Sequence, residues 1–154
     1  MLPIIIVSII VFIDQITKYL IANNSLFTNF CVIKNFFYIT YAENTGMAWS
    51  LLSGKQALLS LISAIAIGVM IWYLLYKKPR KFTYIGVLLM IGGAIGNLID
   101  RLVLNYVRDF LNFYIFGYDF PIFNVADCAL VIGVIILFIA SYVEEKNGET
   151  RVED

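Results

Sequence analysis

Two aspartates invite attention in a chain that has no histidine. One lies in Val107-Arg108-Asp109-Phe110 and the other in Phe123-Asn124-Val125-Ala126-Asp127, each beside a long apolar run. Two carboxylates brought within a few ångströms cannot both ionise easily, so one pKa rises and the pair shares a proton. One can then take a proton from water while the other gives one to a carbonyl or a leaving amine. The other reading is two separate carboxylates, each paired with Arg101 or Arg108. Rival chemistries are thin. Absent histidine removes His-based triads, His general bases and His-ligated metals, so neither a metal nor another cofactor is expected. Ser50, Ser53 and Lys55 could suggest a Ser–Lys nucleophile pair, but they read as a polar turn leading into an apolar stretch. Cys128 follows Asp127 directly and cannot share its helix face, so packing is its expected role. Cys31 has no evident disulfide partner.

Other polar residues stand where they could support the pair. Asp14-Gln15-Ile16-Thr17-Lys18 puts a carboxylate and an ammonium at i and i+4, on one helix face. They could neutralise each other, tie their helix to a larger cluster, or do both. In Gly92-Gly93-Ala94-Ile95-Gly96-Asn97-Leu98-Ile99-Asp100-Arg101, Gly92 and Gly96 form a small-xxx-small face for close helix approach. Asn97 and Arg101 then project the same way. Arg101 needs a partner near lipid, and Asp14, Asp100, Asp109 and Asp127 are the carboxylates available. Glu43-Asn44-Thr45-Gly46-Met47-Ala48-Trp49 reads by itself as a turn with an interfacial tryptophan.

The elements that must position these residues are membrane spans. Of 154 residues, 61% are hydrophobic and 14% charged, and mean hydropathy is +0.86. An ordinary soluble domain has about 45–50% apolar and about 25% charged residues. Four stretches approach the about 20 apolar residues that a crossing helix needs: 4–21, 57–76, 82–104 and 123–143. Asp14 and Lys18 lie inside the first, and no basic residue precedes it, so it reads as a retained span rather than a cleaved leader. Lys77, Lys78, Arg80 and Lys81 link the second and third spans, which places that link and both termini in the cytoplasm. Asp14, Lys18, Asn97, Asp100, Arg101, Asn124 and Asp127 then fall in the outer half of the membrane, with Arg108 and Asp109 just beyond. Such a layer reads as a site. The segment 36–41 reads as short strands on the membrane surface. No repeat or linker divides residues 1–154, so a single domain is expected. Lys+Arg and Asp+Glu balance at 11 each, which gives no footprint for nucleic acid.

Taken together, these motifs resemble the lipoprotein signal peptidase family, also called signal peptidase II. Asp14-Gln15-Ile16-Thr17-Lys18 is similar to the family's D-Q-x-[ST]-K, and Asn44-Thr45-Gly46-Met47-Ala48-Trp49 to its N-x-G-x-A-[FW]. The segment 92–101 is similar to G-G-[AS]-x-G-N-x-x-D-R. The two aspartate motifs resemble V-x-D-[FY] and F-N-x-A-D. Met47 and Trp49 depart from the commoner Ala and Phe. The resemblance implies four transmembrane helices with a small extracytoplasmic β-cradle and a short periplasmic helix. It implies an aspartic endopeptidase of the bacterial inner membrane that removes the signal peptide of prolipoproteins just before a diacylglyceryl-Cys. Asp109 and Asp127 would be its catalytic pair. Asp14, Lys18, Asn44, Gly46, Asn97, Asp100, Arg101 and Asn124 would support the site or bind substrate. The expected partners are prolipoproteins and membrane lipid, with the chain a monomer. A small transporter or proton channel is the alternative, but the charges gather on one side instead of crossing the bilayer. A non-catalytic membrane subunit is the other.

Overall fold

The computed structural model describes residues 1–46 and 52–149, so Met47, Ala48, Trp49 and Ser50 lie outside the described residues. Four helices carry the architecture: α1 Leu2–Ala22, α2 Gln56–Lys77, α3 Lys81–Leu104 and α4 Val125–Glu149. Each contains a stretch long and apolar enough to cross a membrane, and the bounds fall within a few residues of those expected. The chain is a multi-pass membrane protein. α3 is the central helix, with half of its span buried inside the protein against 17% of α1 and α2. Local chemistry ends the helices. Lys78 takes the left-handed conformation after α2 with Pro79 following, and Asn105 does the same after α3, its N–H donating to the Arg101 carbonyl.

The segments between the helices build a four-stranded antiparallel sheet in the order β1-β2-β3-β4: β1 Phe30–Ile33, β2 Phe37–Asn44, β3 Val107–Ile115 and β4 Tyr118–Asp119. Strands were expected only in the first outer segment; the second supplies half of the sheet. β2 pairs with β3 so that Ala42 faces Asp109 and Asn44 faces Val107. Stacking of Phe37 on Phe113 at 4.4 Å, and of Phe113 on Phe123 at 5.7 Å, binds the strands to the segment before α4. Phe123 also exchanges backbone hydrogen bonds with β3: its N–H donates to Leu111, and its carbonyl accepts from Phe110 and Leu111. The short helix expected outside the membrane corresponds, among the described residues, only to a 3-10 turn at Ser25–Thr28.

The interior inverts the usual pattern. Large hydrophobic side chains such as Phe12, Leu61, Trp72 and Phe138 point outward, as lipid permits, while the largest fully buried side chains are Lys18, Asn124, Asp14 and Asp100. Close backbone approach makes room for them. A Cβ on Gly96 would stand 2.6 Å from the Asp14 carboxylate, and one on Gly93 would collide with the Ala126 carbonyl. Gly92 likewise admits Ile10, so the small-residue face of α3 does receive α1.

A backbone carbonyl cannot move aside as a flexible side chain can. Gly93→Ala is therefore expected to push α3 from α4 and destabilise the fold by about 1–3 kcal/mol, the usual range for overpacking. Thermal unfolding of the detergent-solubilised variant beside wild type measures it.

Candidate active site

Four aspartates gather where α1, α3, β3 and the start of α4 meet, and they fall into two pairs with different partners. Asp14 and Asp100 have cations. Lys18 Nζ lies 2.8 Å from Asp14 Oδ2 and 3.6 Å from Asp100 Oδ2, and all three side chains are fully buried. Arg108 grips Asp100 as a fork, Nη2 to Oδ1 at 2.7 Å and Nε to Oδ2 at 3.1 Å, while its backbone N–H donates to Oδ2. Gln15 closes this network, its amide donating to Asp100 Oδ1 and its carbonyl accepting from Arg108. The hydrogen bonds to Asp100 hold the Arg108 guanidinium above its already high ordinary pKa.

Asp109 and Asp127 have no ion pair among the described residues and are held by neutral donors instead. Asn44 Nδ2 donates to Asp109 Oδ2 at 2.9 Å, and Asn124 Nδ2 to Asp109 Oδ1 at 2.6 Å. Asn97 Nδ2 donates to Asp127 Oδ1 at 2.7 Å, and the Asn124 backbone N–H to Asp127 Oδ2 at 3.2 Å. Asp109, 2% exposed on β3, has its pKa pushed up to about 7, first by burial and then by the charge of Asp127. These two carboxyls are the groups with reason to share a proton.

The local sequence explains the placement. Asn124 and Asp127 make a reciprocal capping box on α4, in which Asn124 Oδ1 accepts the Asp127 N–H at 2.9 Å and Asp127 accepts the Asn124 N–H. Asp14 Oδ1 takes the next free donor, the Ala126 N–H, at 2.9 Å. The positive end of the α4 dipole thus attracts two carboxylates. On the sheet, Asn44 lies diagonally across from Asp109 and shares its face. The Gly46 N–H donates to Asn44 Oδ1 at 2.9 Å and turns its amide toward Asp109.

Asp109, Asp127, Asn44, Asn97 and Arg101 line a cavity of roughly 520 Å3 together with the apolar Leu130 and Val131. All ten residues that the sequence nominated therefore come together, eight around the carboxyl pairs, Gly46 against Asn44 and Arg101 on the cavity wall. One expectation is corrected. Arg101 pairs with no carboxylate among the described residues, and its buried Nε lacks a hydrogen-bond partner. Asp100 pairs instead with Arg108. Arg108 does not pair with Asp109 because adjacent residues of β3 point to opposite faces. Gln15, in the network beside Asp100, was not nominated. Among the described residues no group of three or more Cys, Asp or Glu side chains is placed to hold a metal ion.

The family model described as Signal peptidase (SPase) II matches residues 6–143. A solved structure described as "Bacterial membrane enzyme structure by the in meso method at 2.3 A resolution" is similar to this chain at 39% identity and a TM-score of 0.87, covering 94% of this chain and 90% of its own. A second, described in the same words but at 1.9 A, gives 41% identity and a TM-score of 0.80, covering 90% of each chain.

Removing one member of a buried ion pair leaves the other uncompensated, whereas removing both does not. Asp100→Ala is expected to cost about 3–5 kcal/mol, and the double variant Asp100→Leu/Arg108→Met to recover part of that loss. Thermal unfolding of the two variants in detergent decides it.

Proposed function

The chain belongs to the signal peptidase II family, a family of aspartic peptidases, and on that premise we propose how it removes signal peptides from prolipoproteins. In this reading Asp109 and Asp127 are the catalytic pair. The observation that carries it is the contrast among the four aspartates. Asp14 and Asp100 are neutralised by Lys18 and Arg108, while among the described residues Asp109 and Asp127 face the cavity with amide and backbone donors and no ion pair.

One carboxylate accepts a proton from water as its oxygen attacks the scissile carbonyl carbon. The protonated partner gives its proton to the carbonyl oxygen, forming a tetrahedral intermediate. On collapse the C–N bond breaks, the nitrogen takes a proton from the first carboxyl, and the second recovers its own. Asn44, Asn97 and Asn124 hold the carboxyl oxygens in position, and Asp14, Lys18, Asp100 and Gly46 hold the amides and helices. Arg101 offers its free Nε–H to a carbonyl of the bound precursor. Leu130 and Val131, three and four positions beyond Asp127 on α4, give the cavity an apolar side toward lipid, suited to a diacylglyceryl-Cys.

We further infer that residues 1–154 work as one domain and as a monomer, with the termini cytoplasmic and the site at the extracytoplasmic face. The basic link Lys77–Lys81 supports this orientation. A membrane-impermeant maleimide applied to right-side-out vesicles is then expected to label exposed Cys31, and not a cysteine introduced in place of Lys78. Labelling of the Lys78→Cys position alone would reverse the orientation.

Asp109→Asn and Asp127→Asn are each expected to reduce cleavage of a diacylglyceryl precursor peptide by at least about 10³-fold while remaining folded in detergent. Turnover retained in either variant removes that residue from the pair. The raised pKa of Asp109 fixes the sign of the pH dependence. Its neutral form persists up to about pH 7, so the shared proton is present below that pH and lost above it. The rate for the free enzyme, kcat/KM, is expected to fall as pH rises beyond about 7, and again in acid when both carboxyls are protonated.

A further inference from the structure

Each amide that touches the two aspartates is anchored on its far side by a group that can play only one role. Asn44 and Asn124 are anchored by backbone N–H groups, which only donate, so their Oδ1 atoms accept and their Nδ2 atoms face Asp109. Among the described residues Asn97 has no such backbone anchor. Its Oδ1 accepts from Lys18 Nζ at 2.9 Å and from Asn124 Nδ2 at 3.1 Å, and its Nδ2 faces Asp127. An ammonium has three donors and no acceptor. A carbonyl must therefore face Lys18, and the N–H must face Asp127.

We propose that Lys18 is a positioning residue for the reaction, acting through Asn97 to present a donor rather than an acceptor to Asp127 Oδ1. This rests on the reading of Asp109 and Asp127 as the catalytic pair. With the amide turned over, the Asn97 carbonyl would face Asp127 Oδ1, and only a proton on that oxygen could satisfy the contact. The shared proton would then be held at Asp127 and the ionised member of the pair depleted. Lys18 holds the amide in its working orientation without touching water or substrate. Among the described residues, the charged groups around Asp127 are Asp14 and Lys18 from α1, Glu43 from β2, Asp100 and Arg101 from α3, and Arg108 and Asp109 from β3. Of these, only Lys18 contacts Asn97.

The test removes the lock while leaving the buried charge balanced. In Asp14→Asn/Lys18→Met the net charge is unchanged, Arg108 still neutralises Asp100, and the carbonyl of the new asparagine can still accept the Ala126 N–H. With a diacylglyceryl precursor peptide, this variant is expected to keep KM within about twofold, lose about tenfold in kcat at pH 7 and shift the acid limb of its pH profile up by about one unit. In an Asn97→Ala background the same double change is expected to alter kcat less than about twofold, because the contact it acts through is gone. Equal losses in both backgrounds, or an unshifted profile, would overturn the proposal.

Should the variant not fold, wild type gives the answer. In protein labelled with 15N-asparagine, the Asn97 side-chain amide signal, assigned by its loss in Asn97→Ala, is expected to move with ionisation of the pair. A signal that does not titrate overturns the lock. An active Asp127→Asn variant would instead overturn the catalytic pair itself, so the two failures are distinct.

Discussion

Charge buried at membrane depth has to be neutralised inside the protein, and in this chain that requirement organises everything else. Lys18, Asp14 and Asp100 are completely buried at positions where lipid surrounds the outer faces of the helices. An isolated charge there costs several kcal/mol, so each must find its partners at the same depth. The partners come from different elements: Lys18 from α1, Asp100 from α3, Arg108 from β3. Satisfying them docks α1 on α3 and fastens the sheet to the bundle. Because lipid gives no apolar incentive for helices to associate, such polar ties and close backbone contacts at Gly93 and Gly96 carry the packing.

The same requirement separates frame from chemistry. Asp14 and Asp100 have cations at hydrogen-bond or ion-pair distance, which fixes them in place. Among the described residues, Asp109 and Asp127 accept hydrogen bonds from amides and backbone N–H groups, which fix direction without supplying charge. Burial, and then the charge of Asp127, push the Asp109 pKa up to about 7 against the pull of its Asn44 and Asn124 donors. In the α4 capping box, Asp127 closes the first turn of its helix while facing the cavity.

Much of this was legible in the sequence. Four apolar runs separated by basic or polar links specify spans whether or not anything is known of their packing. The few charges, falling on one side of the implied membrane, mark the site. The strand over Val107–Ile115 was less visible, because its pairing with β2 joins residues far apart in the chain and no local pattern encodes that register. The exchange of roles between Arg101 and Arg108 has a simpler cause. The sequence left Arg101 and Arg108 equally open as partners of Asp109 and Asp127, whereas alternation along β3 sends Arg108 and Asp109 to opposite faces. The capping signature Asn124-x-x-Asp127 could have been read directly, and it predicts the Asn124–Asp127 contact. The choice between paired and separate aspartates depended on tertiary contacts that spacing alone does not contain.

The central claim is that this chain by itself hydrolyses an amide bond with a water activated at Asp109 and Asp127. The most direct measurement incubates the purified wild-type protein in lipid with a diacylglyceryl-Cys precursor peptide in water enriched in 18O, then weighs the products. The account predicts a single cut on the N-terminal side of the lipidated cysteine, with one 18O atom in the new carboxylate of the released signal peptide. A folded, lipid-embedded chain that leaves the peptide intact would contradict it.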